Sequence, residues 1–251
     1  MKIKLVSLIF LTWFSLSLGA KEVVICADNW CPYNCEPSSS NPGFMVEIVR
    51  ESFRLFGSGE KVVYKLLPWT RAMKEARAGT IDGIIGAIDS ESVGLHTPSL
   101  EQGMMSAQFF THSKKMWKFS NTSQLKNSKK RVGAVKGYDF DSHIAKFFKE
   151  NPAQIQYSHG EEALPKLINI LRHQRIDTII EDQAVFWNKV KELKISKNTF
   201  RSAGPVGPTK KLYVAFHNKS HAKIVAKGMV ALRKSGELKK ILKKYNLVDW
   251  K

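Results

Sequence analysis

Two aromatic residues and a few separated charges are the groups here best suited to hold a small molecule. Trp30 and Tyr33 lie in the turn-rich run Asp28-Asn29-Trp30-Cys31-Pro32-Tyr33, directly after the apolar segment 22–27. A ring just past a strand end either faces a ligand crevice or packs into its own loop. Trp69 opens an apolar helical stripe, which favours a core position, whereas Arg71 lies off that stripe as either a ligand cation or a solvated side chain. Glu181-Asp182 ends another apolar segment before a helix, where carboxylates stabilise the helix start. Asp89 and Tyr138 are further candidates of the same kind. His217 and His221 are four apart but straddle a strand end and a helix start, so no metal site is expected from them. No G-x-S-x-G, phosphate-cradling glycine loop or zinc cysteine pattern occurs. We therefore expect no catalytic residues, no metal and no cofactor, and not an enzyme.

The cysteines depend on the compartment. Residues 1–20 have a basic start (Lys2, Lys4), an apolar core and small residues Ser17-Leu18-Gly19-Ala20, the pattern of a signal peptide cleaved after Gly19 or Ala20. The apolar run is shorter than the ~20 residues of a spanning helix. An exported chain meets oxidising conditions, so Cys31 and Cys35 are expected to form a disulfide. A metal site is the alternative, without a histidine at matching spacing. Cys26, inside the apolar segment, is expected to be a buried free thiol.

The candidates need a scaffold, and its clearest piece is residues 68–88. Trp69, Ala72, Met73 and Ala76 recur at helical spacing after Pro68, and Gly79 suits the left-handed residue ending a helix. Ile81, Ile84, Ile85, Ala87 and Ile88 then read as a strand covered on both faces. With a strand over 62–67 this is a β-α-β unit. The unit returns: Ile176-Asp177-Thr178-Ile179-Ile180 echoes Ile81-Asp82-Gly83-Ile84-Ile85, after a helix carrying Leu164, Leu167, Ile168 and Leu171 and a strand over 155–157. Two copies predict two similar α/β lobes with a crevice between their strand ends. Further strands are expected over 106–111, 131–135 and 212–216, with 203–208 as a turn-rich connector. If the last strand and helices rejoin the first lobe, the chain crosses twice, near 111–113 and near 202–206, the connectivity of a hinge. The expected organisation is a leader over 1–20, lobe 1 over 21–112 and 207–251, and lobe 2 over 113–206.

At 251 residues, with 43% hydrophobic and 25% charged residues, the chain can bury an ordinary core. Its net charge of +18, from 40 basic and 22 acidic residues, raises the question of nucleic acid. The lysines are scattered over polar helix faces and export removes that partner, so none is expected. A solvated basic surface, or attraction to an anionic envelope surface, fits better.

The chain resembles the type II periplasmic solute-binding proteins of the extracellular family 3 class, typified by the polar amino-acid binding proteins of ABC importers. The resemblance rests on the aromatic before Pro32, the G-x-I-D-G-I-I unit, the V-G-x-x-x-G loop over 132–137, the I-D-x-I-I-x-D segment ending at Asp182, and the tail RKSGELKKILKKYNL. It implies a two-lobed fold, each lobe a mixed, mostly parallel sheet flanked by helices, joined by a two-strand hinge. It also implies a periplasmic monomer that closes on a small polar, amino-acid-like ligand for an ABC permease or a membrane sensor. By position, Trp30 resembles the family's stacking aromatic and Asp182 its carboxylate against a ligand ammonium. Gly137 and Tyr138 match a loop whose amides meet an anion. The family's arginine clamp for an α-carboxylate is missing, since Asp89-Ser90-Glu91-Ser92-Val93-Gly94 stands in its place. Arg71 would have to supply the cation from another direction, or the ligand has no carboxylate. Some family relatives resemble dehydratases, and in that alternative Asp182 or Glu181 would act as acid or base.

Overall fold

The computed structural model describes residues 21–251, so the expected leader lies outside the described residues. Strand β1 (Glu22–Ala27) is followed by helix α1 (Phe44–Phe56) and strand β2 (Lys61–Leu66), which pairs with β1 in parallel. Helix α2 (Trp69–Ala78) buries Trp69, Ala72 and Ala76 and ends at Gly79, whose φ of 75° only glycine adopts freely. Strand β3 (Gly83–Ala87) then lies parallel to β1 on its other side.

A three-residue strand β4 (Gly103–Met105) precedes strand β5 (Ala107–His112). Next come helix α3 (Thr122–Asn127), strand β6 (Val132–Val135), helix α4 (Ser142–Glu150), strand β7 (Ile155–Ser158), helix α5 (Ala163–Arg172), strand β8 (Thr178–Asp182) and helix α6 (Gln183–Glu192). Strands β9 (Phe200–Pro205) and β10 (Lys210–Phe216) and helices α7 (Lys219–Ser235) and α8 (Glu237–Lys244) complete the chain.

The strands form two five-stranded sheets, ordered β2-β1-β3-β10-β4 and β7-β6-β8-β5-β9. Each has three parallel strands at one side and antiparallel strands at the other. The two β-α-β units occupy equivalent places, so the sequence echo is a structural repeat. This is the two-lobed α/β architecture expected.

The position of β5 corrects the sequence reading. The expected first lobe runs through 112, with a crossing near 111–113. Instead β5 pairs with β8 and β9 in the second sheet, which moves the first crossing to Ser106. Its consecutive Phe109 and Phe110 are fully buried, and Phe110 stacks on Phe186 of α6 at 3.8 Å. A strand covered on both faces gives no alternation to reveal its sheet. The expected connector 203–208 also begins inside β9. Gly204 and Pro205 disguise it, as both are tolerated in an edge strand. The return crossing lies between Pro205 and Lys210.

Candidate functional site

The carboxyl ends of β1 and β3 from one lobe and of β6 and β8 from the other converge on the crevice between the sheets. Each delivers a carboxylate within four residues of its last strand position: Asp28, Glu91, Asp139 and Glu181. Two small chambers of about 40 Å³ each open here. Trp30, Met105, Tyr138 and Asp139 line both; Asp28 and Glu91 line only the first, and Asp141, Glu181 and Asp182 only the second.

The walls touch across the crevice. Trp30 Nε1 donates to Glu181 Oε1 at 3.0 Å, and the Tyr138 hydroxyl donates to Asp28 Oδ2 at 2.7 Å. The Ser90 hydroxyl donates to Asp139 Oδ2 at 2.5 Å. Behind Trp30, the Tyr33 ring stacks at 4.5 Å and its hydroxyl donates to the Met104 carbonyl at 2.7 Å. The loop carrying both rings is closed by the Cys31–Cys35 disulfide, while Cys26 is a buried free thiol.

Burial dominates the electrostatics. It raises Glu181 to about 8, against the hydrogen bonds from Trp30 and the Asp182 amide. Asp28 rises to about 6 by burial, with the Tyr138 hydrogen bond opposing. Burial also lifts Asp182 to about 6, although three backbone amides donate to it. Glu91 moves up for the same reason. Glu181 Oε2 is buried with no hydrogen-bond partner. The site is thus rich in acceptors and poor in donors.

No family model matches this sequence, and no curated protein does. Solved structures do. A histidine kinase sensor domain with similarity to periplasmic binding proteins superposes with a TM-score of 0.74 at 14% identity, covering 92% of this chain and 99% of that one. The arginine-, lysine-, histidine-binding protein ArtJ from Geobacillus stearothermophilus gives 0.70 at 18% identity, covering 90% and 94%. A solute receptor for L-cysteine of Neisseria gonorrhoeae gives 0.67 at 20%, covering 89% of each chain. The fold is that of the type II periplasmic solute-binding proteins.

Within this binding-protein fold the expected site residues divide. Trp30, Trp69, Tyr138 and Asp182 line the chambers. Trp69 serves core and site together, its ring buried while Nε1 donates to Glu91 at 2.9 Å. Tyr33 lies one layer back, supporting Trp30. Asp182 is taken up structurally: Oδ1 accepts from the amides of Ala184 and Val185, capping α6, and Oδ2 accepts from Ser106 at the crossing. Arg71 lies outside both chambers, its side chain 68% exposed and paired with Glu75 at 2.6 Å. Asp89 is exposed and lines neither chamber. Gly137 abuts the first lobe instead, where a Cβ would sit 2.6 Å from Thr70 Cγ2.

The carboxylates missed as ligand contacts are Asp28, Glu91 and Asp139. From sequence, Glu181 is expected only as a capping or acid–base group. One signal could have found the first three: each closely follows the carboxyl end of a parallel strand, where α/β sheets place ligands.

Proposed function

We propose that this chain is an exported solute-binding protein whose lobes close on a small polar ligand and present the liganded form to a membrane partner, an ABC-type importer or a sensor. The observation carrying this reading is the crevice itself, walled from both lobes and bridged by Trp30–Glu181 and Tyr138–Asp28. A ligand entering there contacts both lobes at once, so its binding energy drives closure. Closure then alters which outer surface a partner meets. The named neighbours include amino-acid binding proteins and a kinase sensor domain, which supports ligand capture and leaves both partners in view.

Thermal-shift titration against amino acids, amines, small peptides and organic acids tests it. A true ligand at roughly a hundredfold its Kd adds about 2.7 kcal/mol of stability. The shift should disappear in Trp30→Ala, and the compound should be recovered unchanged. Conversion to a product would favour the dehydratase-like alternative, and an unaltered shift in Trp30→Ala would remove the crevice from the function.

A further inference from the structure

The crevice is built for positive charge at two separate points. Asp28 and Glu91 face the first chamber, Glu181, Asp182 and Asp141 the second, and Asp139 faces both. Between these acidic ends the shared wall is Trp30, Met105 and Tyr138, a ring face, a thioether and a second ring. Among the described residues lining the chambers there is no arginine. The lysine present, Lys210, is already paired with Asp141 at 2.7 Å. A carboxylate on the ligand would therefore enter beside at least three others with no free cation to meet it, which is strongly unfavourable in a partly desolvated site.

An independent observation points the same way. Glu181 lines the second chamber and is only 4% exposed, and its Oε2 is buried with no hydrogen-bond partner. Such an orphaned acceptor is costly unless a donor arrives from outside the protein. An ammonium brings three donors and a charge. Each chamber of about 40 Å³ suits a group of a few heavy atoms, the size of a terminal aminomethyl group. A methylene chain between two such groups would lie along Trp30 and Met105, with its charges also attracted to the ring faces.

We propose that the ligand is an aliphatic diamine or polyamine without a carboxylate, one ammonium held in the Asp28–Glu91 chamber and another by Glu181 and Asp139, with the chain across Trp30. This rests on the binding-protein reading and narrows its ligand to one class.

Calorimetric titration of residues 21–251 at pH 8 tests the proposal with three related compounds. 1,5-Diaminopentane is lysine without its carboxylate, and butylamine is a similar chain with one ammonium. The diamine should bind at least roughly tenfold more tightly than either. Lysine binding as well as the diamine would overturn the exclusion of a carboxylate and leave the binding-protein reading standing. Butylamine binding as well would overturn the two-point site. Failure of the amines while another compound of the broad panel binds removes the ligand class alone, whereas failure of every compound removes both readings. Glu181→Gln preserves the shape of the chamber and should weaken the diamine at least roughly tenfold while still melting cooperatively. Unchanged affinity in that variant would overturn the role of Glu181.

Discussion

Trp30 of the first lobe donates its indole N–H to Glu181 of the second across 3.0 Å, so one hydrogen bond joins the loop after β1 to the end of β8 across the crevice. Trp30 also carries Tyr33 stacked behind it, which makes it the pivot between the disulfide loop and the facing lobe. Trp30→Phe keeps the stack and removes the donor, leaving Glu181 Oε1 with only the Asp182 amide. The expected loss is about 1–3 kcal/mol of stability, or a few degrees in Tm at this chain length. The ligand-free lobes should also separate, seen as a larger radius of gyration by small-angle scattering.

Stability should fall as pH rises from 5 to 8. Glu181 is raised to about 8 and Asp28 and Asp182 to about 6, above the values expected for an unfolded carboxyl. Over this range the folded chain holds more protons than the unfolded one, so raising pH favours unfolding. Besides Asp182 on its own strand, the groups around Glu181 are Trp30, Tyr33, Asp28 and Tyr138, none of them cationic. Lys210, on the far wall, is paired with Asp141. Melting temperature against pH checks this. Glu181→Gln should remove the decline between about pH 6 and 8 and lessen it below 6, where Asp28 and Asp182 also contribute.

Asp182 and Arg71 should behave oppositely. Asp182→Ala removes the cap of α6 and the acceptor of the Ser106 amide together, at a cost of about 2–4 kcal/mol in urea unfolding. Arg71→Ala breaks only an exposed pair with Glu75 and should change stability by less than about 0.5 kcal/mol. It should also leave ligand affinity unchanged, whereas a large loss of affinity would return Arg71 to the site.

The first lobe depends on a close approach between α1 and α7. A Cβ on Gly228 of α7 would fall 1.9 Å from Ser52 Oγ and 2.8 Å from the Ser52 Cα. A rotated hydroxyl relieves the first clash but not the second, which is backbone. Gly228→Ala should therefore destabilise by about 1–3 kcal/mol despite alanine's better helix propensity. Equilibrium unfolding reads this directly, and a stabilised variant would refute the tight packing.

Much of the scaffold was legible because periodicity is local. The stripe of α2, the doubly covered strand after it and their echo at α5 and β8 can be recognised from neighbours a few residues apart. Trp30 was legible too, by standing just past a strand end. Strand β5 was assigned to the wrong lobe and β9 was partly read as a turn, because sheet membership depends on partners about seventy residues or more away in sequence, such as Ile179 and Ile180 for Phe110 and Phe109.

The repeated β-α-β unit, the two-lobed class and the lack of an arginine over 89–94 were readable from local sequence. Which charges share the crevice follows from how the two lobes pack. Asp28, Glu91 and Asp139 lie on three different loops and Glu181 near the end of β8, and their places at strand ends do not by themselves show that the four meet. The fold also settled the division between neighbours 181 and 182, since backbone amides from two elements consume the oxygens of Asp182 and leave one oxygen of Glu181 without a partner. The physical reason is that carboxylate character depends on desolvation and on donors brought from distant segments, neither of which exists until the lobes meet.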